Sequence, residues 1–235
     1  MEKCALITGA TKGIGRSIAL SLAKEGYHIL LTARTESNLI ALQGELQSLY
    51  PNQQITYQLT DFSDQEQVKE LALVADRVFP ELDVLVNNVG LFVPGSLFEE
   101  APGALADQFA VNVWSMHYLA VYFGKKMCHR GRGHLFNVGS VAGKSPFLKA
   151  ASYSVTKYAV HGLTAVLRQE LGNYGVKVTE IIPGSTYTSS WEGVDIPEEK
   201  FVAATDIANA VVACLKMSKG ANVDEIVIRP LDLEI

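Results

Sequence analysis

Short runs of apolar residues alternate along the chain with longer segments in which apolar residues recur every three or four positions. The short runs predict buried strands, and the periodic segments predict amphipathic helices. Seven strands are expected, at residues 4–7, 28–32, 55–59, 84–86, 135–138, 176–182 and 225–229. A helix is expected in each interval, including one continuous helix over about 105–128, one from Tyr153 to Gly175, and a last one capped by Asp206.

This alternation is typical of βαβ units, which build a parallel sheet. We therefore predict an α/β protein with a single-domain Rossmann fold, in which a seven-stranded, mostly parallel, doubly wound sheet carries helices on both faces. No linker or repeat divides the 235 residues, so one domain is expected over 1–235. The irregular segments 89–101 and 184–200 follow strands and should lie at the carboxyl edge of the sheet, where such folds bind ligands. We expect the second to be a short substrate loop.

Charge and cysteine content exclude several classes of function. The formal net charge is -5, so no basic excess is available for the phosphates of a nucleic acid. The three cysteines, Cys4, Cys128 and Cys214, have neither a metal-binding nor a disulfide spacing, which predicts no metal site and a reducing, cytoplasmic location. Every apolar run is too short for a signal sequence or a membrane span, so no targeting segment and no membrane partner are expected.

A glycine-rich turn follows the first predicted strand and opens the first predicted helix: Thr8-Gly9-Ala10-Thr11-Lys12-Gly13-Ile14-Gly15. The glycines allow the backbone to approach a pyrophosphate, and a helix N-terminus offers N–H groups to it. The spacing is not the common G-x-G-x-x-G, and such a turn alone could simply pack a strand against a helix. Its place at the first strand–helix corner favours nucleotide binding. The expected contacts are Gly9, Thr11, Lys12, Gly13, Ile14 and Gly15.

The end of the second strand indicates which dinucleotide is bound. Proteins that bind NAD usually place an acid there for the ribose hydroxyls, whereas this chain has Arg34 and no acid before Glu36. An arginine can bind a 2′-phosphate through two hydrogen bonds, and Lys12 could reach the same phosphate. The two cations predict NADPH/NADP+ as the cofactor.

Two further strand ends carry polar residues that suit the cofactor. Asp61 follows the third strand and could accept a hydrogen bond from an adenine amino group, although it could equally cap the next helix. Asn88 and Gly90, in Asn87-Asn88-Val89-Gly90, suit the ribose and nicotinamide but would also suit a plain turn.

Tyr153 and Lys157 are four residues apart, which on a helix places both side chains on one face. A free tyrosine has a pKa of about 10 and holds its proton too tightly for easy cycling at neutral pH. A neighbouring ammonium favours the phenolate and lowers that pKa. With Ser140 upstream, the pair could stabilise and protonate an alkoxide.

Together these residues resemble the short-chain dehydrogenase/reductase family over nearly the whole chain. The resemblance rests on the glycine turn, Asn87-Asn88-Val89-Gly90, Asn112, Ser140, Tyr153-xxx-Lys157 and Pro183-Gly184-Ser185-Thr186-Tyr187-Thr188. It implies that Tyr153 is the general acid, that Lys157 lowers its pKa and binds the nicotinamide ribose, that Ser140 holds the substrate oxygen, and that Asn112 anchors a water. It also implies that Pro183, Gly184, Thr186 and Thr188 hold the nicotinamide carboxamide, and that Arg34 and Lys12 mark the NADPH-preferring branch.

The substrate is predicted less sharply than the chemistry. Ser140, Phe147, Tyr187 and Trp191 are expected to bind it, which favours a small ketone or aldehyde, or a pterin side-chain carbonyl as in the bacterial sepiapterin-reductase-like branch. A 3-oxoacyl-[acyl-carrier-protein] reductase is the alternative, in which His129, Arg130 and Arg132 could dock the carrier. A non-catalytic NADPH-binding sensor or scaffold is a third interpretation. The resemblance also implies a homodimer or homotetramer, formed through helices 105–128 and 153–173.

Overall fold

The computed structural model describes residues 3–188 and 195–232. The strands are β1 (Lys3–Thr8), β2 (Tyr27–Ala33), β3 (Ile55–Leu59), β4 (Val84–Asn87), β5 (Gly133–Val138), β6 (Val176–Pro183) and β7 (Glu225–Ile228). The helices are α1 (Gly13–Lys24), α2 (Glu36–Leu49), α3 (Gln65–Val78), α4 (Ala104–Phe109), α5 (Ser115–Arg130), α6 (Ala151–Gly172) and α7 (Ala204–Leu215). Short 3-10 turns cover Val141–Gly143 and Glu198–Lys200.

The seven strands form one sheet in the order β3-β2-β1-β4-β5-β6-β7, and every neighbouring pair is parallel. The order reverses at β1, which pairs with β2 on one side and β4 on the other. Ligands bind at this reversal in doubly wound sheets, because the connections leave a crevice at the carboxyl ends. The predicted Rossmann fold is confirmed.

Alternate side chains of each central strand enter two separate cores. On β1, Ala5 and Ile7 pack with α1, α2 and α7, whereas Leu6 packs with α3, α5 and α6. Both faces are covered because consecutive strand residues point to opposite sides of the sheet, and all of these strand residues are apolar. The two apolar layers fix the strands, and so fix the positions of the loops at the carboxyl edge.

The helices differ from the sequence prediction at three places. The expected continuous helix over about 105–128 is interrupted by a π-helical turn, Ala110–Trp114, between α4 and α5. The expected cap Asp206 lies three residues inside α7, where its carboxylate accepts from the backbone N–H of Ala203 at 3.3 Å. Helix α6 ends at Gly172 rather than running to Gly175, whose φ of +75° turns the chain toward β6.

Within the described ranges, no helix is both long and apolar enough to cross a membrane.

Candidate active site

The glycine turn leaves the N-terminus of α1 open to a ligand. Lys12, the N-cap residue, makes no side-chain capping bond, and the first turn contains no acidic residue, so neither supplies an acceptor to the first N–H groups of the helix. Gly9 and Gly13 have φ values of +64° and +50°, which residues with a side chain rarely adopt. At Gly15 a Cβ would lie 2.2 Å from the Gly9 carbonyl oxygen, so only glycine lets the turn close. This is an anion-binding geometry.

Thr8 and Asn88 fasten this turn to the end of β4. The Asn88 side-chain amide donates to the carbonyl oxygens of Thr8 and Gly9, at 2.9 and 3.1 Å. In return, the Thr8 hydroxyl accepts from the backbone N–H groups of Asn88 and Val89, at 2.9 and 3.0 Å. In the structure Asn88 therefore holds the glycine turn in place.

Arg34 and Asp61 lie near each other at the ends of β2 and β3. Arg34 is exposed, and its charge contributes to lowering the pKa of Asp61, although the hydrogen bonds from Ser63 are the larger cause. Both Ser63 bonds use Oδ1, at 2.9 Å from the backbone N–H and 2.7 Å from the hydroxyl. The capping alternative for Asp61 is wrong, since Asp64 caps α3 by accepting from Glu66 N. Lys12 is exposed at the same corner, in the glycine turn.

Ser140, Tyr153 and Lys157 converge beyond the end of β5. The Ser140 hydroxyl bonds to the Tyr153 phenol and accepts from the backbone N–H of Ala142 at 3.1 Å. The Lys157 ammonium lies 5.5 Å from the centre of the Tyr153 ring and donates to the carbonyl oxygen of Val138 at 2.9 Å. The structure thus brings the three residues together as the sequence predicted.

Burial sets the protonation of this cluster. It raises the pKa of Tyr153, which the Ser140 hydrogen bond opposes, and it lowers the pKa of Lys157 to about 8. The ordinary pKa of lysine is 10.5, so the ammonium is still largely charged at neutral pH but far easier to discharge. The expected lowering of the Tyr153 pKa is therefore not seen in the isolated chain, where burial has the larger effect.

Asn112 lies in the π-helical turn and joins three segments. Its side-chain oxygen accepts from Leu91 N at 2.6 Å, and its amide donates to Leu91 O at 2.9 Å and to the Thr156 hydroxyl at 3.0 Å. A Cβ on Gly90 would lie 3.7 Å from the Asn112 oxygen and 3.9 Å from the Lys157 ammonium. Turns of this type often occur at functional sites, and this one brings Asn112 to the catalytic helix.

Gly143 provides the surface on which Lys157 rests. A Cβ at this position would lie 2.6 Å from the Lys157 carbonyl oxygen, so a side chain would push α6 away from the 3-10 turn. The sequence prediction did not include Gly143, because a glycine in a loop has no visible partner until the helix is in place.

The segment after β6 runs toward the glycine turn. A Cβ on Gly13 would lie 2.7 Å from the Thr188 methyl group, so Thr188 faces the expected pyrophosphate site. Pro183 ends β6, Gly184 donates to the Ile228 carbonyl at 2.7 Å, and the Thr186 hydroxyl donates to the Gly184 carbonyl at 3.0 Å.

Three residues were expected to contact substrate together with Ser140. The Tyr187 ring packs on Phe201 with ring centres 5.7 Å apart, which anchors the loop. Phe147 is 47% exposed, while its backbone N–H bonds to the Ser154 hydroxyl of α6 at 2.9 Å. Trp191 lies outside the described residues. Phe92 contacts the Tyr153 ring edge-on, with centres 5.0 Å apart, and so lines the site more directly than Tyr187.

Glu100 is a residue that sequence reasoning missed. Its carboxylate accepts from the backbone N–H of Ser152 at 2.9 Å and also contacts the Ser152 hydroxyl. The first turn of α6 has no acidic residue and no side-chain cap of its own, so Glu100 provides the missing acceptor from another loop. Tyr153 directly follows Ser152 in the sequence, so this cap lies next to the residue that carries the phenol. A charged residue in a Gly- and Pro-containing segment gives no signal of such a contact.

The chain was compared with known proteins. A family model described as short chain dehydrogenase matches residues 3–198. An uncharacterised oxidoreductase of Staphylococcus saprophyticus is 33% identical over 232 residues, which cover 98% of each chain. One of Staphylococcus aureus (strain USA300) is 32% identical over 230 residues, again covering 98% of each.

Solved structures give the same result. An alcohol dehydrogenase from the archaeon Thermococcus sibiricus, complexed with 5-hydroxy-NADP, has a TM-score of 0.89 at 28% identity. The match covers 98% of this chain and 97% of that one. ElxO with NADP bound has a TM-score of 0.87 at 28% identity, with 97% of both chains covered. Matches of this extent, with the catalytic cluster at the expected edge of the sheet, mean that the chain belongs to the short-chain dehydrogenase/reductase family and is an oxidoreductase.

Proposed function

We propose that the protein is an NADPH-dependent reductase that converts a small ketone or aldehyde to an alcohol. One observation carries this proposal: a phenol, a hydroxyl and a buried ammonium converge on one point at the edge of the sheet that also holds the open N-terminus of α1. Two family members of known structure are complexed with NADP or a derivative of it.

The residues present fit NADPH. Gly9, Thr11, Gly13, Ile14 and Gly15 would hold the pyrophosphate at the N-terminus of α1, where the N-cap residue makes no capping bond and the first turn has no acidic residue. Arg34 and Lys12 would hold the 2′-phosphate, and Asp61 would accept from the adenine.

The other end of the cofactor would lie against the catalytic cluster. Asn88, Gly90 and the 183–188 segment, through Pro183, Gly184, Thr186 and Thr188, would bind the ribose and nicotinamide beside Tyr153 and Lys157. When bound, the nicotinamide supplies the hydride.

The chain's own residues handle the substrate oxygen. The Ser140 hydroxyl donates a hydrogen bond to it, and the Tyr153 phenol donates the proton that completes the alcohol. The Lys157 ammonium stabilises the phenolate that remains, since an opposite charge nearby favours the ionised form. Asn112 holds Gly90 and Leu91 against α6, and we propose that it also anchors a water that returns a proton toward Lys157.

The entrance to the site is apolar, which favours an apolar or aromatic carbonyl compound. Phe92 lies against Tyr153, and Phe147 and Leu148 are exposed nearby, 47% and 77% accessible. Substrate binding would cover these side chains, and the 184–200 segment would act as the substrate loop. A pterin with a side-chain carbonyl is one candidate of this class.

The carrier-protein alternative has weaker support. Arg130 donates to the Leu82 carbonyl and Arg132 pairs with Glu81 at 2.7 Å. With His129, these residues lie at the turn into β5, the edge of the sheet opposite the catalytic cluster. A carrier docked there would have to deliver its acyl group around the whole molecule, so we favour the small-molecule substrate.

We also propose a cytoplasmic homodimer or homotetramer. The exposed face of α6 carries an apolar row of Val155, Tyr158 and Val166 around an open Gly162, and Leu105 and Phe109 are exposed on α4. Apolar rows of this kind on two helices usually mark an interface between subunits.

The direct test measures NADPH oxidation against diketones, aromatic aldehydes, sepiapterin and a 3-oxoacyl thioester. We expect turnover of a small carbonyl compound, and Tyr153→Phe should lower kcat by about 10²–10⁴-fold because it removes the general acid. NADPH binding should persist in this variant. Turnover of the thioester alone would move the protein to fatty-acid synthesis, and tight NADPH binding with no turnover would favour the sensor or scaffold.

A further inference from the structure

Lys157 and Glu180 are unusual among the charged side chains of the described residues, because both are buried, with exposures of 3% and 1%. His134 is also buried, but burial lowers its pKa to about 3, so it is neutral. A buried charge is costly unless an opposite charge compensates it. One buried ammonium and one buried carboxylate on facing elements, α6 and β6, therefore call for a common explanation.

The Glu180 carboxylate lies directly behind the catalytic segment. A Cβ on Gly139 would lie only 2.4 Å from Glu180 Oε1, so the absence of a side chain at Gly139 makes room for this oxygen. Gly139 stands between Val138, whose carbonyl holds the Lys157 ammonium at 2.9 Å, and Ser140, which bonds to Tyr153. The carboxylate thus touches the backbone that connects the two catalytic contacts.

His161 holds the carboxylate in this position. Its Nδ1 lies 2.7 Å from Glu180 Oε2, and His161 is one helical turn beyond Lys157 on α6. Glu180 and Lys157 are not within ion-pair distance in the described structure. The carboxylate acts on the ammonium through space, in surroundings that screen the interaction little.

The groups around His161 resemble a metal site but already include a cation, the Lys144 ammonium. Ligand atoms of His161, Glu180 and Glu225 lie within 4.8 Å of one another. The Lys144 ammonium lies 2.7 Å from Glu225 and 3.3 Å from His161 Nε2, so a cation is already present. We therefore attribute this cluster to electrostatics.

We propose that Glu180 is a positioning residue, a buried counter-charge that keeps Lys157 in its cationic, catalytically competent form. This inference rests on the proposed catalytic function of Lys157. Two titratable groups on α6, Tyr153 and His161, face the Lys157–Glu180 pair. Behind His161 lie three further charged groups: Lys144, Glu225 on β7 and Arg168 on α6.

The direction of the effect follows from the charges. Burial lowers the pKa of Lys157 to about 8, and Glu180 raises it against that effect. Without the carboxylate the pKa of Lys157 would be lower still, so a larger fraction of the side chain would be uncharged at neutral pH. Lys157 would then stabilise the phenolate of Tyr153 less well at physiological pH.

The test follows the titration of Lys157 by NMR, with lysine labelled with ¹³C at Cε and the Lys157 signal assigned by its loss in Lys157→Arg. We expect Glu180→Gln to move the Lys157 titration to lower pH by roughly one unit. Glu225→Gln is the matched control, because it removes an exposed carboxylate of the same cluster and should leave that titration in place. An unchanged Lys157 titration in Glu180→Gln would overturn the proposal.

The NMR titration uses the protein without cofactor or substrate, so its outcome does not depend on which reaction the protein catalyses. Glu180→Ala removes the same charge without placing an amide against Gly139, and it serves if Glu180→Gln does not fold. In the NADPH assay, the alkaline limb of kcat/KM should also move to lower pH in these variants and return toward its original position in Glu180→Asp. A rate lowered equally at every pH would indicate a structural effect alone and would contradict the proposal.

Discussion

Arg34 is the residue we expect to decide between the two nicotinamide cofactors. It is exposed at the end of β2, where an acid would repel a 2′-phosphate. Arg34→Ala should weaken NADPH binding roughly 10- to 100-fold, since a hydrogen bond to a charged group is worth about 1.5–3 kcal/mol. NADH binding should change little. Titration by fluorescence gives both dissociation constants, with Arg77→Ala, at the far end of α3, as the control cation. Equal losses for the two cofactors would contradict this assignment.

Residue identity and spacing were enough to predict that Ser140, Tyr153 and Lys157 lie together, but not which other groups pack around them. Tyr153 and Lys157 are one helical turn apart, and any helix brings them together. Glu100 contacts Ser152 across 52 positions of the chain, and Glu180 is 23 positions from Lys157, so both placements depend on the packed sheet. A carboxylate in the middle of a strand predicted to be buried was a visible anomaly in the 176–182 run, and it could have drawn attention to Glu180.

At the scale of elements, the start of α6 depends on a loop that is distant in sequence. Backbone bonds from Gly95 N to Lys149 O, at 2.8 Å, and from Ala151 N to Gly95 O, at 3.0 Å, join the two entrance loops, and Glu100 caps the helix beside Tyr153. We expect the helix to be less well ordered at its first turn when this cap is removed. The position of Tyr153, the proposed general acid, would then be less well defined.

Glu100→Ala tests this cap. It should lower the free energy of unfolding by about 1 kcal/mol, in line with the loss of other helix N-caps, and lower kcat more than it changes KM. Denaturant unfolding and steady-state kinetics measure the two effects. Glu99→Ala is the matched control, because Glu99 is exposed in the same loop and, among the described residues, its carboxylate bonds to the nearby Ser96 hydroxyl alone, at 2.7 Å. Similar behaviour of the two variants would argue against a cap.

Periodicity identified the elements well and their interruptions poorly. The apolar positions of 105–128 continue at helical spacing, so a single helix was the natural prediction, yet the π-helical turn Ala110–Trp114 divides it. The reason lies outside the segment: Asn112 bonds to Leu91 and Thr156, which belong to other elements. Likewise, the strand–helix alternation predicted a parallel sheet, but the pairing of β1 with β4 depends on packing.

At the scale of the whole molecule, the exposed row on α6 predicts self-association. Val166 is 54% exposed at the C-terminal end of this row, so Val166→Glu would bury a charge in the proposed interface and should shift the protein to a smaller species. Size-exclusion chromatography with light scattering measures the change. Ile40→Glu is the control, since Ile40 is 53% exposed on α2, on the other face of the sheet. A monomeric parent protein would rule out the interface.

The π-helical turn also limits how this chain can change in length. A regular α-helix rotates by about 100° for each residue, so deleting one residue from Ala110–Trp114 would let the backbone relax to ordinary helical geometry. The same deletion would rotate α4 relative to α5 about the helix axis. Asn112 would then lose its contacts with Leu91 or with Thr156. The length of this segment is therefore set by the partners of Asn112 in two other segments, and not by the geometry of the helix itself.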